Sequence, residues 1–157
     1  MSQTLDETVH TVRRISTELR PGVLDDLGLA AAIEWQARDF QARSGVGCVI
    51  GVPEEDLRLS RDQTTALFRI FQESLTNVAR HVQATKVWVN LSEEEGAVVL
   101  EVEDDGVGIS PARLAERRSL GLLGMRERVA VFGGEIEFAG VLGQGTAVLV
   151  RMPIFGN

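Results

Sequence analysis

Hydrophobic positions along the chain change period several times, and each change marks an element. In 5–19, Leu5, Val9, Val12, Ser16 and Leu19 fall at alternating steps of four and three. That narrow seam suits a helix that pairs with other helices, and it also describes an ordinary amphipathic helix. Arg20-Pro21-Gly22 ends it, because proline disfavours a helical residue before it. A second helix is expected over 27–43, stopping before Gly45, and 48–52 reads as a short strand closed by Pro53. Ser60 or Asp62 can cap a third helix that ends near His81. At about 100° per residue, Leu67, Ile70, Phe71, Ser74 and Val78 of that helix share one face.

Two strand-like runs follow, 86–91 and 97–104, joined by the acidic turn SEEEG as a hairpin. In the second run Val98, Leu100 and Val102 alternate with Val99, Glu101 and Glu103, which predicts one buried face and one wet face. The stretch 105–124 is rich in glycine and charge. A helix is expected over 122–132, ended by Gly133-Gly134, then strands over 135–140 and 146–153. Helices and strands mixed in this way predict an α/β two-layer sandwich, a mixed sheet covered on one face by helices.

Composition narrows the function. The 157 residues are 44% apolar, enough for the core of one ordinary domain. The net charge of −7 makes a poor nucleic-acid binder, since phosphate backbones demand a basic footprint. Basic residues can still cluster around a small anion. No run of about 18 apolar residues occurs, so no membrane contact is expected, and the N-terminus lacks the pattern of a signal peptide. Cys48 is the lone cysteine, which suits a reducing, cytoplasmic setting.

Four motifs carry candidate chemistry. In FQESLTNVARH, Glu73, Asn77, Arg80 and His81 lie beside the apolar face at steps of four, three and one. The ordinary explanation is a solvated edge with routine charged pairs. Asn77 is the odd member, since asparagine is a mediocre helix former. Its amide oxygen is a good ligand for a hard cation, and magnesium takes few protein oxygens, sharing its sphere with waters and phosphates. Glu73, one turn earlier, can hold one of those waters, and Arg80 and His81 can meet anionic oxygens.

DDGVGI follows a strand directly. Asp104 ends the inward face, where a carboxylate is costly unless it finds donors, and a nucleobase amino group would be one. Gly106 and Gly108 let backbone approach a flat ligand. A plain Asp-Gly turn is the alternative. In GLLGMRER, Gly121 and Gly124 sit where a helix begins, and free N–H groups there attract anions; a flexible loop is the alternative. GQGT, before the last strand, is either a hairpin turn or a place where the Thr146 hydroxyl meets a base.

Together, in this order, the motifs resemble the ATP-binding domain of bacterial sensor histidine kinases, within the gyrase, chaperone, kinase and mismatch-repair (GHKL) ATPase superfamily. ESLTNVARH resembles the N box, DDGVGI and GLLGMRER the two glycine boxes, and GQGT the last motif. ELRPGVLDDLGLAAAIEW is similar to the segment that follows the dimerisation helices in the subclass paired with helix-turn-helix response regulators. The resemblance implies a GHKL fold over 22–157, preceded by a helix, with 1–21 the remnant of a second dimerisation helix. It implies ATP and Mg2+ as ligands. Asn77 would bind the metal, and Glu73, the residue assigned to catalysis, would support its water shell. Asp104 would accept the adenine amino group with Thr146 nearby, and Gly106 and Gly108 would bed the base. Gly121 and Gly124 would border the phosphates, with a short lid over 109–120. Ile109, Leu122 and Met125 belong to the same ligand-binding set, and Arg80 and His81 would face ribose or phosphate.

The family phosphorylates a histidine on an earlier helix. His10 is followed by Thr11 rather than an acidic residue and lies near the Arg-Pro break, so it is read as a surface histidine. Met1 is therefore expected to open a shortened chain or a short gene. Partners implied are a histidine-containing dimerisation helix of a homodimeric full-length kinase and a response regulator with a helix-turn-helix output domain. With half of the four-helix bundle gone, stable dimerisation of this chain itself is not expected. Two rivals remain: an anti-sigma-factor-type serine kinase, against which the LRPGVLDDLGL segment stands, and a non-catalytic nucleotide-binding regulatory module.

Overall fold

The computed structural model describes residues 22–55, 57–81, 83–107, 122–141 and 145–154. The expected helix over 5–19 lies outside them. Helix α1 (Gly22–Ser44) starts five residues before the expected position and is broken at Gly28, where φ is 86° and ψ 178°. A glycine tolerates that conformation where other residues do not, so regular helix begins at Leu29. Leu29, Ala32, Ile33, Ala37 and Phe40 then recur at helical spacing and are buried.

Strand β1 (Gly47–Gly51) leads to helix α2 (Arg61–His81). Ser60, not Asp62, caps α2. Its Oγ accepts the Gln63 N–H at 3.1 Å, while Gln63 Oε1 accepts the Ser60 N–H at 3.1 Å, a reciprocal capping box. Gln63 is fully buried, and its Nε2 donates to the Pro153 carbonyl at 2.6 Å. The cap is thereby tied to the far end of the sheet.

Strand β2 (Lys86–Glu94) runs three residues further than its apolar pattern, through the acidic segment, to a two-residue turn. Glu95 (φ 50°) and Gly96 (φ 77°) form that turn, and two successive positive φ values match the twist of a tight hairpin. Strand β3 (Ala97–Asp104) has the expected bounds. Helix α3 (Leu122–Ala130) ends two residues before Phe132, because Gly133 at φ 70° and Gly134 turn their N–H groups back onto Ala130 and Val129 at 3.0 and 3.1 Å. Strands β4 (Glu135–Val141) and β5 (Gly145–Pro153) complete the sheet.

The sheet order is β1-β2-β3-β5-β4, with β1 parallel to β2 and the other pairs antiparallel. One face is apolar: Val87, Val89 and Leu91, Val98, Leu100 and Val102, then Val148, Val150 and Met152 form a single core with the buried sides of the helices. The opposite face carries exposed Lys86, Trp88, Asn90, Glu103, Glu135 and Glu137. This is the two-layer α/β sandwich with a mixed sheet. Among the described residues no helix is long and apolar enough to cross a membrane.

Candidate functional site

The site begins where β3 and β5 reach the same end of the sheet. Asp104 and Thr146 are direct cross-strand partners and both are almost fully buried, at 8% and 9% exposure. Asp104 Oδ1 accepts the Gly106 N–H at 2.8 Å. Burial pushes the Asp104 carboxyl above its ordinary value; backbone N–H groups of Gly106 and Thr146 partly offset this, and neighbouring Asp105 adds to it. The Thr146 hydroxyl is buried and has no hydrogen-bond partner. A carboxylate that lacks full solvation thus sits beside an unsatisfied hydroxyl. Buried polar atoms are normally paired, and this pair has hydrogen-bonding capacity left over, an acceptor on Asp104 and a hydroxyl on Thr146.

Gly145 makes this geometry attainable. Its φ is +99°, and a Cβ there would lie 1.9 Å from the Asp104 carbonyl oxygen. Only a residue without a side chain lets β5 start so close to the end of β3. The motif GQGT did not single this glycine out.

Asp105, next to Asp104, has the opposite environment. Its carboxylate accepts the Thr85 hydroxyl and the N–H groups of Thr85 and Lys86, the last two at 2.8 and 2.9 Å. The Thr85 hydroxyl is the largest of the influences that hold this carboxyl below its ordinary value. Asp105 fastens the end of β3 to the start of β2, a role that the sequence analysis left unassigned.

Helix α2 supplies the second part. Leu67, Ile70, Phe71, Ser74 and Val78 are all buried, as their spacing predicts, while Glu73 and Asn77 are half-buried. Ala66 and Arg69 share a hollow with Arg128 and Phe132 at the end of α3. Steps of four carry that side of the helix on through Glu73 to Asn77. Gln72, Leu75, Thr76 and Ala79 instead line a groove of about 560 Å3 against α1 that holds none of the candidate residues. The polar edge therefore lies on the side of α2 that meets α3. Arg80 and His81 end the helix, with side chains outside the described set.

In α3, Gly124 is half-buried near the start. Met125, expected among the ligand-binding residues, is wholly buried in the core, where it anchors α3. Gly108, Ile109, Gly121 and the Leu122 side chain lie outside the described residues. Among those described, no three His, Cys, Asp or Glu side chains converge into a metal cage. A hard cation at Asn77 would therefore need most of its ligands from elsewhere, which fits magnesium shared with phosphates.

Residues 62–155 match the family described as Histidine kinase-, DNA gyrase B-, and HSP90-like ATPase. The sensor histidine kinase MctS of Rhizobium johnstonii is 36% identical over 157 residues, covering 99% of this chain and 34% of that protein. The oxygen sensor histidine kinase NreB of Staphylococcus carnosus is 33% identical over 154 residues, covering 98% of this chain and 43% of that protein. The chain thus spans about a third of the first relative's length and less than half of the second's. In fold, it is similar to the histidine kinase domain of a blue-light activated histidine kinase from Erythrobacter litoralis, with TM-score 0.68, 24% identity, and coverage of 80% of this chain and 61% of that one.

Proposed function

The chain belongs to the histidine kinase-, DNA gyrase B- and HSP90-like ATPase family, and on that premise we propose that it binds Mg–ATP and donates the γ-phosphoryl group to a histidine on a dimerisation helix. The full-length protein is a homodimeric cytoplasmic sensor kinase that then serves a response regulator with a helix-turn-helix output domain. The sensor kinase names of its relatives support this reading.

The observation that carries it is the Asp104–Thr146 pair. Adenine offers an exocyclic amino donor next to a ring nitrogen. Asp104 accepts from the first, and the orphaned Thr146 hydroxyl donates toward the second. Guanine presents a carbonyl oxygen at the amino position and would face a carboxylate with no proton between them. On α2, Asn77 would offer a neutral oxygen to a magnesium ion and Glu73 would support its water shell. The metal, when bound, neutralises charge that develops on the transferred phosphoryl group. These residues position and neutralise; the nucleophile comes from the acceptor helix.

Competition between Mg–ATP and Mg–GTP for this chain tests the base assignment. Equal affinity for both would remove it. Incubation of the loaded chain with a separately supplied histidine-bearing helical domain tests the transfer. An acid-labile phosphorylated product is expected, whereas an acid-stable one on serine would replace the histidine-kinase reading.

A further inference from the structure

Asp105 is exposed to solvent, yet both of its carboxylate oxygens are taken by protein donors. Oδ1 accepts the N–H groups of Thr85 and Lys86 at 2.8 and 2.9 Å, and Oδ2 accepts the Thr85 hydroxyl. An exposed carboxylate is well served by water and gains little from a single surface contact. Three bonds that converge from two successive residues instead fix one backbone against another.

The clamp lies where the sheet stops. The β2–β3 ladder ends at the pair Val87–Asp104. Past that pair, the Asp105 N–H reaches the Lys86 carbonyl at a long 3.3 Å. Ends of elements held by so few backbone bonds open most readily. On the other side, a Cβ at Gly145 would lie 2.9 Å from the Asp104 carbonyl carbon and 3.2 Å from the Asp105 Cα. The start of β5 is thus packed on the same stretch that the Asp105 side chain ties to the start of β2. The Gly106 N–H, which orients the Asp104 carboxylate at 2.8 Å, belongs to the peptide that follows Asp105. Asp105 therefore stands between the two fixtures of that carboxylate, the backbone that bears it and the donor that turns it.

We propose that Asp105 is a positioning residue for the base: its clamp on Thr85 and Lys86 aims the Asp104 carboxylate at the exocyclic amino group of adenine. The inference rests on the assignment of Asp104 and Thr146 to the base. Such a group must be held to within about 0.5 Å of its productive place, and Asp104, as the last residue of β3, has no further ladder to hold it. The effect of Asp105 is one of position rather than charge. Burial is the main reason that the Asp104 carboxyl is raised, and the Asp105 charge adds to it. Removal of that charge alone would favour ionised Asp104, a better acceptor. An alanine and an asparagine at 105 both lack the charge, but asparagine can keep the clamp. Its Oδ1 accepts the same two N–H groups, and its NH2 donates to the Thr85 hydroxyl.

The test compares ATP with purine riboside triphosphate, which lacks the exocyclic amino group, by calorimetric titration of the full chain. Wild type should prefer ATP at least tenfold, the worth of a hydrogen bond to a charged acceptor, and Asp104→Asn should lose that preference. Asp105→Ala should reduce it to threefold or less by weakening ATP, with the affinity for purine riboside triphosphate changed less than twofold. Asp105→Asn should restore it. Thr85→Val removes one bond from an exposed residue and keeps the backbone donors, so it should lower the preference by a smaller factor even if Asp105→Ala does not fold. Equal weakening of both nucleotides by Asp105→Ala, no rescue by asparagine, or an unchanged preference in both Asp105→Ala and Thr85→Val would each overturn the proposal while the base assignment stands. A wild-type chain that does not distinguish the two nucleotides would instead remove the base assignment, and the role of Asp105 with it.

Discussion

Replacement of Asp104 by asparagine separates ligand recognition from folding. The carboxylate has two acceptor oxygens, and one already takes the Gly106 N–H at 2.8 Å. An asparagine that keeps this bond places its oxygen there and turns its NH2 toward the ligand. The adenine amino group then meets a donor where it needs an acceptor. Losing a hydrogen bond to a charged group costs about 1.5–3 kcal/mol, and a buried unsatisfied donor adds a similar penalty that overlaps it. A total of roughly 3 kcal/mol corresponds to about 150-fold weaker ATP binding. The unliganded protein should respond differently. Because burial raises the folded-state pKa of Asp104, the native state keeps a proton that the unfolded chain releases between the ordinary carboxylate value and the raised one. Wild-type stability therefore falls as pH rises through that window and is flat above it. In Asp104→Asn this slope vanishes, and the unliganded variant at neutral pH should be at least as stable as wild type. Calorimetric titration with ATP and thermal unfolding across acidic to neutral pH measure the two effects. A dissociation constant within threefold of wild type would refute the base contact. A loss of several degrees in the unliganded variant would recast Asp104 as a structural residue.

Asp105→Asn should act in the other direction: the wild-type carboxyl is held low, so its contribution is present above the ordinary carboxylate value and lost as pH falls through the lowered one. The variant should lack that part of the acid-induced loss in thermal midpoint. Gly145→Ala introduces both a strained φ and a collision with the Asp104 carbonyl; destabilisation of at least ~2 kcal/mol in denaturant unfolding is expected, and wild-type stability would disprove the close approach. Asn77→Ala should make ATP affinity the same with and without magnesium while leaving magnesium-free binding near the wild-type level, as read by titration. Ser60→Ala should cost about 1 kcal/mol of unfolding free energy through loss of the cap, and an unchanged midpoint would show that Asp62 can take over.

What was legible in the sequence was whatever local period or turn chemistry controls. The alternation through Val98, Leu100 and Val102 put Asp104 inward and set the bounds of β3 correctly. The helical spacing of Leu67, Ile70, Phe71, Ser74 and Val78 identified the buried side of α2. Features set by distant partners were not legible. Residue type allows either Ser60 or Asp62 as the cap, and the choice falls to Ser60 because Gln63 reaches both Ser60 and Pro153. No local period shows the pairing of Asp104 with Thr146, which depends on β5 entering between β3 and β4; only the family resemblance led to it, and the register bears it out. Gly145 and Asp105 belong to the same class, because each acts on a neighbouring strand rather than on its own. Gly28 could have been suspected, since a glycine early in a helix is a natural point of rupture, but the sign of its φ belongs to the packing around it.

The tie between Gln63 and Pro153 has a mechanical consequence. It pins α2 by hydrogen bonds at its first turn, whereas Phe68, Phe71, Leu75 and Val78 hold the rest of the helix by apolar contact. Asn77 stands 14 residues beyond the pin, about 21 Å along the axis. The helix is then a lever with its fulcrum at the cap and its polar tip at the site. By geometry alone, an angular change of about 5° at the cap carries Asn77 by about 2 Å. The position of the polar edge of α2 is thus set in part from the opposite end of the fold, by a glutamine 14 residues away from Asn77.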